Sequence, residues 1–232
     1  PSSIANTVPV QRAAFLSRDD TARLAAGLRD HITKTSGDRG LASAAARLIT
    51  DRLFLPAGRT VAAFMAAAES EGISPNCCVL PYNEMHTREL CLAQNTGIGT
   101  SLLRVKKNMP LELIVSRLNA QPHAQPDKRT AGLMHTLPWR DSRAIQFIHL
   151  KRSAAALRDP VLKNANHSLV VDPADADEFL RSELALAAAK TAWACGEPGI
   201  LFSPRPDQAT APCGEVFMQP YEVCMLGNIN LA

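Results

Sequence analysis

The sequence predicts an α/β fold with a small helical cap at its front. Beyond residue 56 short apolar runs alternate with helical patterns, whereas before it two helical patterns follow one another without a strand signal. No internal repeat or low-complexity tract points to another architecture. In the cap, Leu24, Leu28 and Ile32 recur on one face and predict a helix over 18–34, with Ser17 or Asp19 placed to cap it. A second helix is expected over 41–53, after a loop of turn-forming composition from Thr35 to Gly40. Pro56-Ala57-Gly58 supplies the turn chemistry that ends the helical region. Strands are then expected in 77–80, 99–103, 133–137, 168–171 and 199–202. Helices are expected over 84–95, 142–150 and, as one long element capped by Asp172, 174–195. The stretch 106–128 holds three prolines and several polar residues, and is expected to be irregular.

Composition narrows the function classes. At 232 residues and 46% hydrophobic, the chain has material for one sizeable core or two small ones, which excludes disorder throughout. The 25 Lys and Arg are interleaved with 22 Asp and Glu to a net charge of +3, so no basic face for direct nucleic-acid binding is expected, while a phosphorylated small molecule stays compatible. No apolar stretch approaches the roughly 18 residues that span a bilayer. Residues 1–12 lack a basic segment followed by a hydrophobic one. The expectation is a soluble, cytoplasmic protein with no membrane partner.

Six cysteines stand at 77, 78, 91, 195, 213 and 224. Their spread argues against a disulfide framework, and the adjacent Cys77-Cys78 is not the spaced pair that structural zinc uses, so no metal site is expected. Redox or radical use is the sharp alternative to buried thiols acting as small hydrophobes. Cys91 and Cys195, set among alanines and leucines, are expected in the core. The histidines at 31, 86, 123, 135, 149 and 167 form no ligating motif and are expected to be ordinary surface or core residues.

The C-terminal run Ala211-Pro212-Cys213-Gly214-Glu215, followed by Pro220-Tyr221-Glu222-Val223-Cys224-Met225-Leu226-Gly227-Asn228-Ile229-Asn230-Leu231, resembles the finger loop of the ribonucleotide reductase catalytic subunit. Upstream, Phe54-Leu55-Pro56-Ala57-Gly58-Arg59-Thr60 and Asn76-Cys77-Cys78-Val79-Leu80-Pro81 are similar to the segments by which the adenosylcobalamin-dependent class of that family enters its barrel. Gly97-Ile98-Gly99 with Leu103-Arg104, Lys128-Arg129, Phe147 to Lys151, Asn166-His167-Ser168 with Val171-Asp172, and Gly196 to Phe202 follow in the family's order. The resemblance implies part of a ten-stranded α/β barrel, about half, over residues 56–232 with its finger loop, behind the cap at 1–55.

It also implies a chemistry, the reduction of ribonucleotides to 2′-deoxyribonucleotides. A thiyl radical at Cys213 takes the 3′ hydrogen, Glu215 acts as general base on the 3′ hydroxyl, and Cys77 with Cys224 donates two electrons while becoming a disulfide. Cys78 is adjacent, so the register of that pair stays open between Cys77 and Cys78; the neighbouring Asn76 and Val79-Leu80-Pro81 favour Cys77. Adenosylcobalamin is the implied cofactor. The implied partners are the ribonucleotide, a thiol reductant, and a second chain completing the barrel or a homo-oligomer. Gly97 and Gly99 either let backbone approach a nucleotide or make a glycine turn before a strand. Ser74 and Asn76 either bond the sugar or a phosphate or serve as caps and turn formers. Ala211, at the substrate-binding position of the loop, stands where the family has an asparagine whose side chain positions sugar and carboxylate, so turnover is expected to fall sharply. An eight-unit barrel takes roughly 250 residues, so the chain is expected to lack the later barrel half. A catalytically silent homologue that binds nucleotide or protein, and a radical enzyme acting on another nucleotide, are the alternatives.

Overall fold

The computed structural model describes residues 18–56, 75–121, 130–153, 156 and 158–229. Two compact units share the chain, one formed by Pro1–Ser74 with Met225–Ala232, the other by Pro75–Cys224. In the first, α1 (Arg18–Ser36) and α2 (Arg39–Thr50) are joined through Gly37, whose φ of +72° suits only a residue without Cβ strain, and Asp38, which caps α2 by accepting from the Leu41 N–H at 2.8 Å. Leu24, Ala25 and Ile49 meet in a small core with Leu28, Ala46 and Phe54. Strand β1 (Phe54–Pro56) pairs antiparallel with β10 (Gly227–Ile229).

The second unit is built on a six-stranded sheet. After β2 (Cys77–Val79) come α3 (Met85–Ala93), β3 (Gly97–Ser101), α4 (Leu111–Asn119), β4 (Leu133–Pro138), α5 (Ala144–His149), β5 (Asn166–Val171), α6 (Ala176–Leu180), α7 (Glu183–Cys195) and β6 (Gly199–Phe202). The chain closes with the hairpin β7 (Ala209–Thr210) and β8 (Phe217–Met218), then β9 (Val223–Cys224). Spatial order is β6-β5-β4-β3-β2-β9, parallel throughout except that β9 runs against β2. Strands succeed one another without the reversal of order that marks a doubly wound sheet, as they do along the wall of an α/β barrel.

Register and packing separate the two faces. Leu137, Leu169 and Val171 pack on Ile114, Val115 and Leu118 of α4, Phe147 and Ile148 of α5, and Ala188 of α7 in the largest core. On the same face Thr100, His135 and His167 lie in one row across three strands. Arg88 of α3, 1% exposed, donates to Thr100 and to the Leu118 carbonyl; His135 bonds Asn119 of α4 at 2.7 Å, and His167 stacks on Phe147. Burial holds both imidazoles neutral, with His167 pushed down to about 3 and His135 well below its ordinary value.

Two expectations about elements are corrected. The stretch 106–128 contains helix α4, because Leu111, Ile114, Val115 and Leu118 form an apolar stripe between Pro110, which starts the helix, and the proline at 122. The long helix over 174–195 is interrupted, since Ser182 takes an extended conformation and caps α7 by accepting from the Ala185 N–H. Asp172 caps as expected, but caps the single 3-10 turn Pro173–Asp175.

Candidate functional site

The opposite face of the sheet carries the C-terminal hairpin. Its loop, 211–216, closes with the Gly214 N–H on the Ala211 carbonyl at 2.8 Å and the Ala211 N–H on the Val216 carbonyl at 3.1 Å, and Gly214 takes φ +86°. The sheet holds the hairpin by side-chain bonds: the Asn166 amide donates to the Pro212 carbonyl at 2.7 Å and the Thr136 hydroxyl to the Gln208 carbonyl at 3.2 Å. Glycines make the approach possible. A Cβ on Gly99 would stand 1.9 Å from the Thr210 carbonyl oxygen; one on Gly97 would meet the Cys77 sulfur and Pro212 Cγ, each at 2.9 Å. What these two glycines accommodate is the chain's own hairpin, a third role beside the two the sequence offered.

The hairpin brings the far-separated cysteines together. In β2, Cys77 and Val79 point to the hairpin face, while Cys78 and Leu80 point to the helices. Cys77 is the register partner of Cys224 on β9, and both pack against Val79, Ala209, Ala211 and Met218. Direct cross-strand partners have Cβ atoms roughly 4.5–5.5 Å apart, a small adjustment from the roughly 3.5–4.5 Å of a disulfide. None of the six cysteines, all of them among the described residues, is in a disulfide.

Cys213 is exposed on the loop, and its thiol is pushed up to about 11 by what burial it has, by its hydrogen bond to Glu215 and that carboxylate's charge, and by the neighbouring Cys77. Cys224 is raised by burial and by the same Glu215. One carboxylate therefore faces two thiols, and both remain protonated at neutral pH. The arrangement offers a hydrogen-bearing thiol, a carboxylate and a nearby dithiol on one side of a sheet.

Ala211 is fully buried, with its methyl in the apolar cluster of Val79, Ala209 and Met218. Asn76 sits at the entrance of β2, donating its backbone N–H to the Cys224 carbonyl and accepting from the Gly97 N–H. Ser74 lies outside the described residues, as do 57–60, 128–129 and 230–231 of the segments that carry the resemblance. A cavity of about 350 Å³ lies further along β2, lined by Val79 to Glu84, Ser101, Arg104, Asp207 and Gln219 to Tyr221. The Tyr221 hydroxyl bonds Glu84, which raises its pKa. The sequence does not gather Glu84, Arg104 and Tyr221 into one place; Arg104 and Tyr221 fall in two separate segments of the resemblance, and nothing singles out Glu84. Cys91 was assigned to the core and is half-exposed, in contact with Cys78, and Cys195 is exposed. Among the described residues no helix is long and apolar enough to cross a membrane.

Comparison with known proteins gives three findings. No protein-family model matches the chain. The vitamin B12-dependent ribonucleoside-diphosphate reductases of two Mycobacterium tuberculosis strains are 47% identical to it over a 62-residue alignment, which covers 22% of this chain and 9% of theirs. The class Id ribonucleotide reductase alpha subunit of Actinobacillus ureae superposes with a TM-score of 0.56 at 9% identity, over 78% of this chain and 36% of that one. The chain thus spans about a third of the length of that structure. Its fold is that of part of a ribonucleotide reductase alpha subunit, and about a fifth of its sequence is similar to the B12-dependent reductases.

Proposed function

We propose that this chain carries the thiyl-radical and dithiol part of a ribonucleotide reductase, converting ribonucleotides to 2′-deoxyribonucleotides. The observation that carries the reading is the in-register Cys77 and Cys224 pair on the face where the hairpin presents Cys213 and Glu215. In this reading Cys213, as thiyl, takes the 3′ hydrogen and later returns it, while Glu215 accepts the 3′ hydroxyl proton. The 2′ hydroxyl leaves as water, and the two electrons come from Cys77 and Cys224 as their thiols become one disulfide. Arg104, exposed at the rim of the neighbouring cavity, is placed to meet a substrate phosphate. A thiol reductant resets the pair, and further strands from a second chain or another copy are the proposed complement to the sheet.

Adenosylcobalamin supplies the radical in the class that the sequence resembles. Cys213 is exposed, but it does not line the cavity along β2. Among the described residues nothing places the corrin beside this thiol, and no step is derived through it.

A second reading, a silent homologue that binds nucleotide or protein, is favoured by Ala211, whose buried methyl leaves no side-chain donor at that position. Anaerobic incubation with adenosylcobalamin, a dithiol and each ribonucleotide, followed by chromatography, separates the two. Catalysis predicts a deoxyribonucleotide that is absent with Cys213→Ala and, without added dithiol, one Cys77–Cys224 disulfide per product. No product from the parent chain refutes catalysis by this chain alone and favours the silent reading.

A further inference from the structure

The sheet holds a second pair of sulfurs that this chemistry does not use. Cys78, 3% exposed, points from β2 toward α3, where Cys91 is half-exposed; its thiol donates to the Cys91 sulfur at 3.8 Å. Arg88, one turn before Cys91 on α3, is buried and pinned by the Leu118 carbonyl and the Thr100 hydroxyl. We propose that Cys78 and Cys91 form a redox-active dithiol, a modification site that a small external disulfide converts reversibly into a covalent staple between β2 and α3.

The two sulfurs are unlike in the way such a pair requires. The hydrogen bond from Cys78 and the charge of Arg88 outweigh burial and bring Cys91 down to about 7, so about half of this thiol is thiolate near neutral pH. Cys78, donor of that bond and buried, is pushed up and stays a thiol. Cys91 attacks the external disulfide, forming a mixed disulfide and releasing one thiolate. Cys78 then attacks the Cys91 sulfur, the second external thiol leaves, and the two protein thiols have lost two electrons and two protons to the oxidant. Closing the bond brings the sulfurs from 3.8 Å to about 2.05 Å, on a strand and a helix already in contact. The pair lies across the sheet from Cys77 and Cys224, so the inference stands whether or not the chain reduces nucleotides.

The test uses the full chain with Cys77→Ser, so that the adjacent sulfur cannot substitute, incubated with oxidised glutathione folded and in guanidinium. Trypsin cleaves after Arg59, Arg88 and Arg104, which leaves Cys78 in peptide 60–88 and Cys91 in peptide 89–104. The expected result is these two peptides joined by a disulfide, formed at least about tenfold faster in the folded chain because the fold sets a high effective concentration. With Cys78→Ser, Cys91 stops at the glutathione adduct. Separate peptides at equilibrium, or a bond that forms no faster folded than unfolded, overturn the proposal.

Discussion

Replacing Gly99 by alanine tests whether the hairpin lies on the sheet as described. The new Cβ would stand 1.9 Å from the Thr210 carbonyl oxygen, 3.0 Å from its carbon and 3.1 Å from Val79 Cγ2. Ordinary contacts between such atoms lie near 3.5 Å, so the Thr210 peptide must retreat by more than an ångström. That retreat strains the bonds from Thr136 to Gln208 and from Asn166 to Pro212. Losing both costs roughly 1 kcal/mol each, and overpacking adds about 1–3 kcal/mol, for a total of about 4 kcal/mol. With a urea dependence of about 2–3 kcal/mol/M the midpoint falls by about 1.5 M, read by circular dichroism. Gly132→Ala is the control, since its Cβ would meet only Pro212, at 3.1 and 3.6 Å, a crowding that costs about 1 kcal/mol. A Gly99→Ala midpoint no lower than that of Gly132→Ala refutes the placement of the hairpin.

Two further outcomes follow from the charges. The Cys213 thiol is held up to about 11, so its alkylation by iodoacetamide rises through that pH, above the range of an ordinary cysteine; Glu215→Gln shifts the profile to lower pH, and an unmoved profile means that the carboxylate does not face the thiol. His167 titrates at about 3 in the folded chain against 6.5 when free, so below pH 6.5 the unfolded chain takes up a proton that the folded chain refuses. Stability is therefore full above pH 6.5 and falls as pH drops toward 3; urea midpoints measured across that range decline less in His167→Gln, His135 supplying the remainder, and equal declines in both chains contradict the assignment.

The parallel strands were legible because each is a short apolar run flanked by turn residues, and 199–202 agrees with β6 to the residue. The strand expected over 99–103 is found at Gly97–Ser101: the two glycines that look like a turn before a strand are part of it, their missing side chains filled by the hairpin from the far end of the chain. Helix α4 was hidden by its flanking prolines, although Leu111, Ile114, Val115 and Leu118 carry the helical period in plain view. At the site, spacing along the chain could not decide whether Cys77 or Cys78 faces Cys224, because the choice rests on which side of β2 meets the hairpin. Nor could it reveal the contact between Cys78 and Cys91, which needs α3 to fold back over the strand. The row formed by Thr100, His135 and His167 arises from strand register alone, and no local pattern announces it.

The alternation of β2 makes the sheet a partition between sulfurs. Cys77 and Cys78 are neighbours along the chain, yet each meets its partner, Cys224 or Cys91, on an opposite side of a layer that thiols cannot cross while the strand stays paired. Exchange within the folded chain is confined to each side, so oxidation on one leaves the other untouched. A Cys77–Cys91 or Cys78–Cys224 link would be a chemical record that β2 had come out of the sheet.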